Sequence, residues 1–438
     1  MKFQNKTGVI SLLQQYYVLP ILLYTTLGFI IYYILYATQI VTAIPAHETL
    51  LKWDATFYAS IKDNNYSFVP NSACNAGFLP LFPYWWKATG FNALGISILN
   101  GLVYFLSLCC LCKQLKPDIL HLGLFMSLPF MFFLITPLSE SAFFLFGVMM
   151  IYGIKQNKKV YIFTGIFLAS LTRASALFIL PAAIGMSLML YPVISFVRNI
   201  NWREILLIYL APVLLGVLLV SVLQFVQTGN FFAYYQTQSE AWGRKFGWPV
   251  LPMGRATEVW ATRLSYFNFW LGCFVSVAGL ACLVRWLLHK PLTISNYTLF
   301  AIIYLVMSFF SVVFFNPEWF YDQKIGYNTT YLNGINRYMQ ATPFALIVVL
   351  WIFSLPKFKP VHFIPLLVGT YLVWLCVYPV FYKHIQYTLE MSIVTGFLFA
   401  YWLYHYYRWK PVGYLIIIGS FILQGLMFNN FMTGIMVD

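Results

Sequence analysis

Apolar residues come in runs of about 20 along nearly the whole chain, a length that crosses roughly 30 Å of hydrocarbon as a helix. The runs fall at roughly 16–41, 92–112, 119–137, 141–154, 160–172, 176–197, 205–226, 266–287, 295–315, 341–355, 361–381, 389–406 and 412–430. This pattern predicts an all-α polytopic membrane protein, a bundle of about 11–13 transmembrane helices forming one domain over residues 1–438. The first run, from Tyr16 to Val41, is too long for the apolar part of a signal peptide and reads as an uncleaved first span.

Threading the runs alternately puts seven short connections on the side of the N-terminus. They hold Lys2, Lys6, Lys113, Lys116, Lys155, Lys158, Lys159, Arg198, Arg203, Arg285, Lys290, Lys357, Lys359, Arg408 and Lys410, which is 15 of the 26 basic residues. Of the 12 acids only Asp118 and Glu204 join them. The excess of positive charge places this side in the cytoplasm. On the other side three connections are long, at about 42–91, 227–265 and 316–340, and all are rich in aromatic and charged residues. Chemistry or binding is expected on that outer face.

Composition narrows the class. Hydrophobic residues make up 61% and charged residues 9% of the chain, against about 25% charged in a soluble domain, which excludes a water-soluble globule. Aromatics at 20% exclude disorder. The net charge of +14 follows membrane topology, so no nucleic-acid partner is expected. Seven cysteines and six scattered histidines offer no disulfide framework or zinc spacing. Neither a metal nor a cofactor is expected. No internal repeat is visible, and the spans lack the mid-membrane acids and bases that a pump or proton-coupled transporter calls for.

The first outer loop predicts an amphipathic helix over His47–Asp63. At about 100° per residue, Leu50, Leu51, Phe57, Tyr58 and Ile61 share the face of Asp54, while Lys52, Thr56, Ser60 and Asp63 lie on or toward the other. An acid in the middle of an apolar stripe costs stability unless it is paired or functional. Asp54 is therefore a candidate site residue, with a role as a local cap or ion-pair partner as the plainer reading. Downstream, Phe78-Leu-Pro-Leu-Phe-Pro-Tyr-Trp-Trp86 has two prolines three residues apart, which predicts a rigid, extended or turned segment. It serves either as an interface anchor or as the wall of a lipid or sugar pocket.

Several polar residues stand at outer helix ends. Glu140 opens a span, where a carboxylate also suits the helix dipole. Arg173 closes another, where an arginine also snorkels to the interface. Trp242-Gly-Arg244 lies in the second long loop, and Asn333-Gly-Ile-Asn-Arg337-Tyr338 ends the third. The planar fork of an arginine suits a phosphate. Several arginines at one surface fit an anionic lipid phosphate, and equally fit ordinary headgroup contact.

In order and topological side these pieces resemble the PIG-V-like mannosyltransferases, a branch of the GT-C glycosyltransferases. The matching residues are Trp53-Asp54, Phe57-Tyr58, Tyr66, Phe78-Leu-Pro-Leu-Phe-Pro83, Ser139-Glu140-Ser141, Leu171-Thr-Arg173, Thr228-Gly-Asn, Trp242-Gly-Arg244 and Arg337-Tyr338. They run from about residue 48 to 345, roughly two-thirds of the chain. Two departures stand out: Asn65 precedes Tyr66 where the family pattern has glycine, and Leu79 replaces a second aromatic.

The resemblance implies a transferase that moves a sugar, most simply mannose, from a polyprenyl- or dolichyl-phosphate donor to a hydroxyl on a glycan, lipid or protein. It implies inversion at the sugar carbon without a metal, and Asp54 as the general base. Arg337, with Arg173 or Arg244 and with Tyr338, would bind the donor phosphate. Trp53, Tyr58, Phe82, Glu140 and Trp242 would line the pocket, and the prenyl chain would lie between aromatic-rich spans. A bacterial inner membrane with the site facing the periplasm is the expected setting, with the lumenal face of the endoplasmic reticulum as the alternative. Protein O-mannosylation, lipid arabinosylation, a lipid-linked-sugar flippase and a non-catalytic scaffold subunit remain open at this point.

Overall fold

The computed structural model describes residues 15–191, 201–250, 259–315, 334–356 and 399–437, with short pieces at 320–322, 327–330, 332, 359, 361, 364–365, 367–369 and 395–396. Among these, six helices are long and apolar enough to cross a membrane: Val18–Ala37, Ala93–Leu115, Trp202–Thr228, Leu264–Leu287, Asn296–Phe314 and Lys410–Met432. The protein is thus an all-α, multi-pass membrane protein, as its hydrophobic pattern predicts. The first helix illustrates why. Ile21, Tyr24, Ile31 and Leu35 are buried at helical spacing, while Leu19, Leu22, Leu23, Phe29 and Ile30 face outward. A helix that is apolar all round belongs in lipid.

Shorter helices lie between these six, and the strand structure among the described residues is a small antiparallel hairpin in the third outer loop, Phe320–Asp322 against Tyr327–Thr329, with Phe320 opposite Thr329. The span expected at 361–381 and the first half of that at 389–406 lie largely outside the described residues.

Some expected spans differ in length and others are broken. Against the expected 141–154, Glu140–Gln156 runs longer, at 17 residues, while Lys159–Ser170 and Pro343–Ser354 have 12 each. Twelve residues rise only about 18 Å, well short of roughly 30 Å of hydrocarbon. Arg173 lies just beyond the Lys159–Ser170 helix. Leu171–Phe178 then interrupts what the pattern reads as two continuous spans.

The span at 119–137 also breaks. Ile119–Met126 is helical, Pro129 ends it, and Met131–Ile135 is a single tight turn. Backbone groups freed inside a bundle must find partners. The Gln424 side-chain amide donates to the Leu128 carbonyl at 2.9 Å, and the Phe130 N–H donates to Gln340 Oε1 at 3.2 Å.

Two readings of the first outer loop are corrected. The continuous helix expected over His47–Asp63 is two helices, His47–Leu50 and Asp54–Asn64, split at Leu51–Trp53. Trp53 adopts a positive φ of 54° at the break. Asp54 thus opens its helix instead of sitting in mid-stripe. The segment expected to be rigid, extended or turned contains a helix, Leu81–Thr89. Pro80 precedes it and Pro83 lies in its first turn, where a missing N–H costs nothing.

Loops one and two are sewn together by three glutamines. Gln224 donates to Ala76 O at 2.7 Å and accepts from Tyr234 N at 2.9 Å. Gln227 accepts from Tyr66 N and donates to the Tyr84 hydroxyl, and Gln238 donates to Gly77 O. Asn429 of the last helix accepts from Thr42 N and Ala43 N, anchoring the start of loop one. These bonds hold the outer loops over the ends of the bundle.

Candidate functional site

A cavity of about 290 Å³ lies where the three outer loops meet the helix ends. Trp53, Asp54, Tyr58, Glu140, Arg173, Trp242, Arg244, Arg337 and Tyr338 all line it. These nine candidates are spread over nearly 290 positions of sequence, and the fold gathers them around one space. The tenth, Phe82, does not line it. It is fully buried behind Tyr58, with ring centroids 5.1 Å apart, because the helix starting at Leu81 turns it inward. Its assignment to the pocket is corrected: it supports a wall residue.

Charges in the cavity form an alternating chain. Arg173 is ion-paired to Glu140 Oε1. The same oxygen lies 3.4 Å from Arg337 Nη1, which donates at 2.8 Å to Asp54 Oδ2. Glu140 is 2% exposed at its side chain, so it neither caps a surface helix nor meets solvent. Its task is to hold two guanidiniums from different parts of the chain. Arg173, 10% exposed, is likewise no snorkelling residue. Arg244 completes the set by hydrogen-bonding the Tyr338 phenol.

Burial alone would push that phenol up. Arg244 first, then Arg173 and Arg337, more than offset it, so the Tyr338 pKa falls below its ordinary value. The Arg173 guanidinium also lies over the Tyr338 ring at 5.3 Å. Across the cavity the opposite happens. Burial, reinforced by Glu140 and Asp54, raises the Tyr58 phenol well above its ordinary value while it bonds Ser139 Oγ at 2.9 Å.

The opposite wall is aromatic. Phe57 stacks on Phe78 with centroids 4.9 Å apart, and Trp242 meets Phe78 edge-on at 5.1 Å. A side chain on Gly77 would come within 2.7 Å of the Trp242 ring, so the close approach requires glycine.

Backbone geometry and buried amides fix the charged groups. Arg337 and Tyr338 ride on the short helix Ile335–Gln340, entered through Gly334 at φ 84°. A Cβ there would also meet Tyr338 Cε2 at 2.7 Å. Asn336 accepts from Asn268 at 2.8 Å and donates to Ser265 Oγ and Val437 O, while Gln340 donates to Asn268 Oδ1. Asn100 donates to Thr136 O and Leu138 O, shaping the turn before Glu140. Asn65 takes φ 62° and ψ −166°, a conformation that glycine favours.

Sequence reasoning missed Asn100, Asn268, Asn336 and Gln340. Their signal was available: an amide inside an apolar helix needs a partner. It also missed Gln238 and the C-terminal Phe431, Met436 and Val437 of the cavity wall, which carry no chemical pattern.

Fold and site together define a multi-pass α-helical membrane protein with a cationic, aromatic-walled cavity at one end of its helices. No protein-family model, curated protein or solved structure matches the chain. Among the described residues no cluster of three or more histidine, cysteine or acidic side chains is placed to hold a metal ion.

Proposed function

We propose that the protein is a membrane glycosyltransferase that moves a sugar, most simply mannose, from a polyprenyl-phosphate donor to an acceptor hydroxyl on the outer face. The observation that carries the reading is the meeting of Asp54 with Arg173, Arg244 and Arg337 in one cavity. The resemblance to PIG-V-like enzymes assigns the reaction, and the geometry is compatible with each of its parts.

The acceptor oxygen attacks the anomeric carbon, the bond from that carbon to the phosphate oxygen breaks, and polyprenyl phosphate leaves. Asp54 takes the hydroxyl proton, and the arginines hold the charge that grows on the leaving phosphate. A fork-shaped guanidinium suits this task because it binds two oxygens at once. The aromatic wall of Phe57, Phe78 and Trp242 offers faces to the sugar. A space of about 290 Å³ has room for one sugar phosphate. The setting proposed is a bacterial inner membrane with the site facing the periplasm.

The test uses purified protein with radiolabelled polyprenyl-phosphate-mannose, a lipid and protein extract, and chelator. Label passing to a new product with the unaltered chain, and not with Asp54→Asn, is the expected result. Label remaining on the donor with both proteins rejects the mannosyl transfer.

A further inference from the structure

Arg337 has two demands on its guanidinium. In the structure its Nη1 donates to Asp54 Oδ2 at 2.8 Å, and in the proposed reaction the same group faces a phosphate. We infer that an anion entering the arginine cluster competes with Asp54 for Arg337 and draws the guanidinium off the carboxylate, so that the phosphate donor primes Asp54 for the hydroxyl acceptor.

Arg337 holds two carboxylates, and their surroundings decide which one yields. Glu140 is 2% exposed and ion-paired to Arg173 as well, so freeing it would strand a buried charge. Asp54 is 30% exposed and opens the helix Asp54–Asn64. Water and the positive end of that helix stabilise it once it lets go. The weaker tie is therefore the one to Asp54.

Charge counting agrees. Three guanidiniums and two carboxylates line the cavity, leaving one positive charge in excess. A phosphodiester carries one negative charge and balances the set. Until it arrives, Asp54 is tied to Arg337. The device favours the donor before the acceptor. It rests on the transferase reading for its purpose, but its test does not depend on transfer.

The probe is sulfate, a tetrahedral anion, titrated by calorimetry into the full chain in detergent. Asp54→Asn removes the competitor for Arg337 and should tighten sulfate binding about three- to tenfold. Asp63→Asn, on the same helix and paired with Lys62, should leave it unchanged. In the unaltered chain, sulfate should raise carbodiimide labelling of Asp54, read by peptide mass spectrometry, which covers the case of a misfolded variant. Equal or weaker binding by Asp54→Asn, or labelling that ignores sulfate, overturns the inference even if transfer is lost in that variant. No sulfate binding by any of the proteins overturns both the inference and the phosphate half of the transferase reading.

Discussion

The two ends of the bundle use the same residue types in opposite ways. At the inner end, basic residues make separate contacts, with no shared network among the described residues. Lys113 Nζ donates to the Tyr16 hydroxyl, Lys155 reaches the Gln114 carbonyl, and Lys159 pairs with Glu204 while both remain partly exposed. At the outer end, Asp54, Glu140, Arg173 and Arg337 are drawn from four separate segments and bonded to one another below the surface. Inner charges orient the chain in its membrane, and any lysine or arginine serves. Outer charges are chosen for shape and position, and each has a named partner. Where a charge is buried and what it touches, more than its sign, separates topology from chemistry.

Substitutions at the outer end should break this contrast most strongly. Asp54→Asn keeps the volume and should lower transfer about a hundred- to ten-thousand-fold, the usual weight of a general base, with melting temperature little changed. Arg337→Lys keeps the charge and loses the fork, and roughly a hundredfold loss of transfer is expected. A variant that retains full activity would mean that charge alone matters there, as at the inner end.

Glu140→Ala strands Arg173 in a buried setting, and a loss of about 3 kcal/mol in unfolding free energy is expected. Glu140→Gln sharpens the point, since it keeps a polar partner and should cost less. Gly334→Ala forces a side chain into positive φ and against Tyr338, for a loss of about 1–3 kcal/mol, measurable by thermal or denaturant unfolding. Lys155→Ala and Lys159→Ala, by contrast, should shift stability by no more than about 0.5 kcal/mol and leave transfer intact. A large effect at either lysine would erase the distinction between the two ends.

Much of this contrast is readable in the chain because two of its causes are local. Run length and the one-sided distribution of Lys and Arg reveal a polytopic helical bundle and its outer loops. Asp54 stands out as an acid among Leu50, Leu51, Tyr58 and Ile61, and the arginines stand out at helix ends. What is not local is hidden. The break at Leu51–Trp53 depends on the outer loops closing over the bundle, so the helical wheel places Asp54 in mid-stripe when it opens a helix. Spacing cannot tell Pro83 in a first turn from a helix breaker.

The run at 119–137 looks continuous in composition, yet Pro129 divides it, and the polar Leu171-Thr-Arg173 corner ends the run at 160–172. Glu140 reads equally well as a cap or a pocket residue, until Arg173 and Arg337 arrive from distant segments to share its oxygen. The amides of Asn268, Asn336 and Gln340 each call for a partner, but only the fold shows that they find one another.

The most direct measurement is an experimental structure with polyprenyl phosphate bound. The account predicts phosphate density between Arg173, Arg244 and Arg337, the Arg337 guanidinium turned from Asp54 toward it, and the lipid chain leaving along the aromatic wall. Phosphate seated against the inner-end lysines, with the outer cavity empty and the Asp54–Arg337 pair intact, would contradict it.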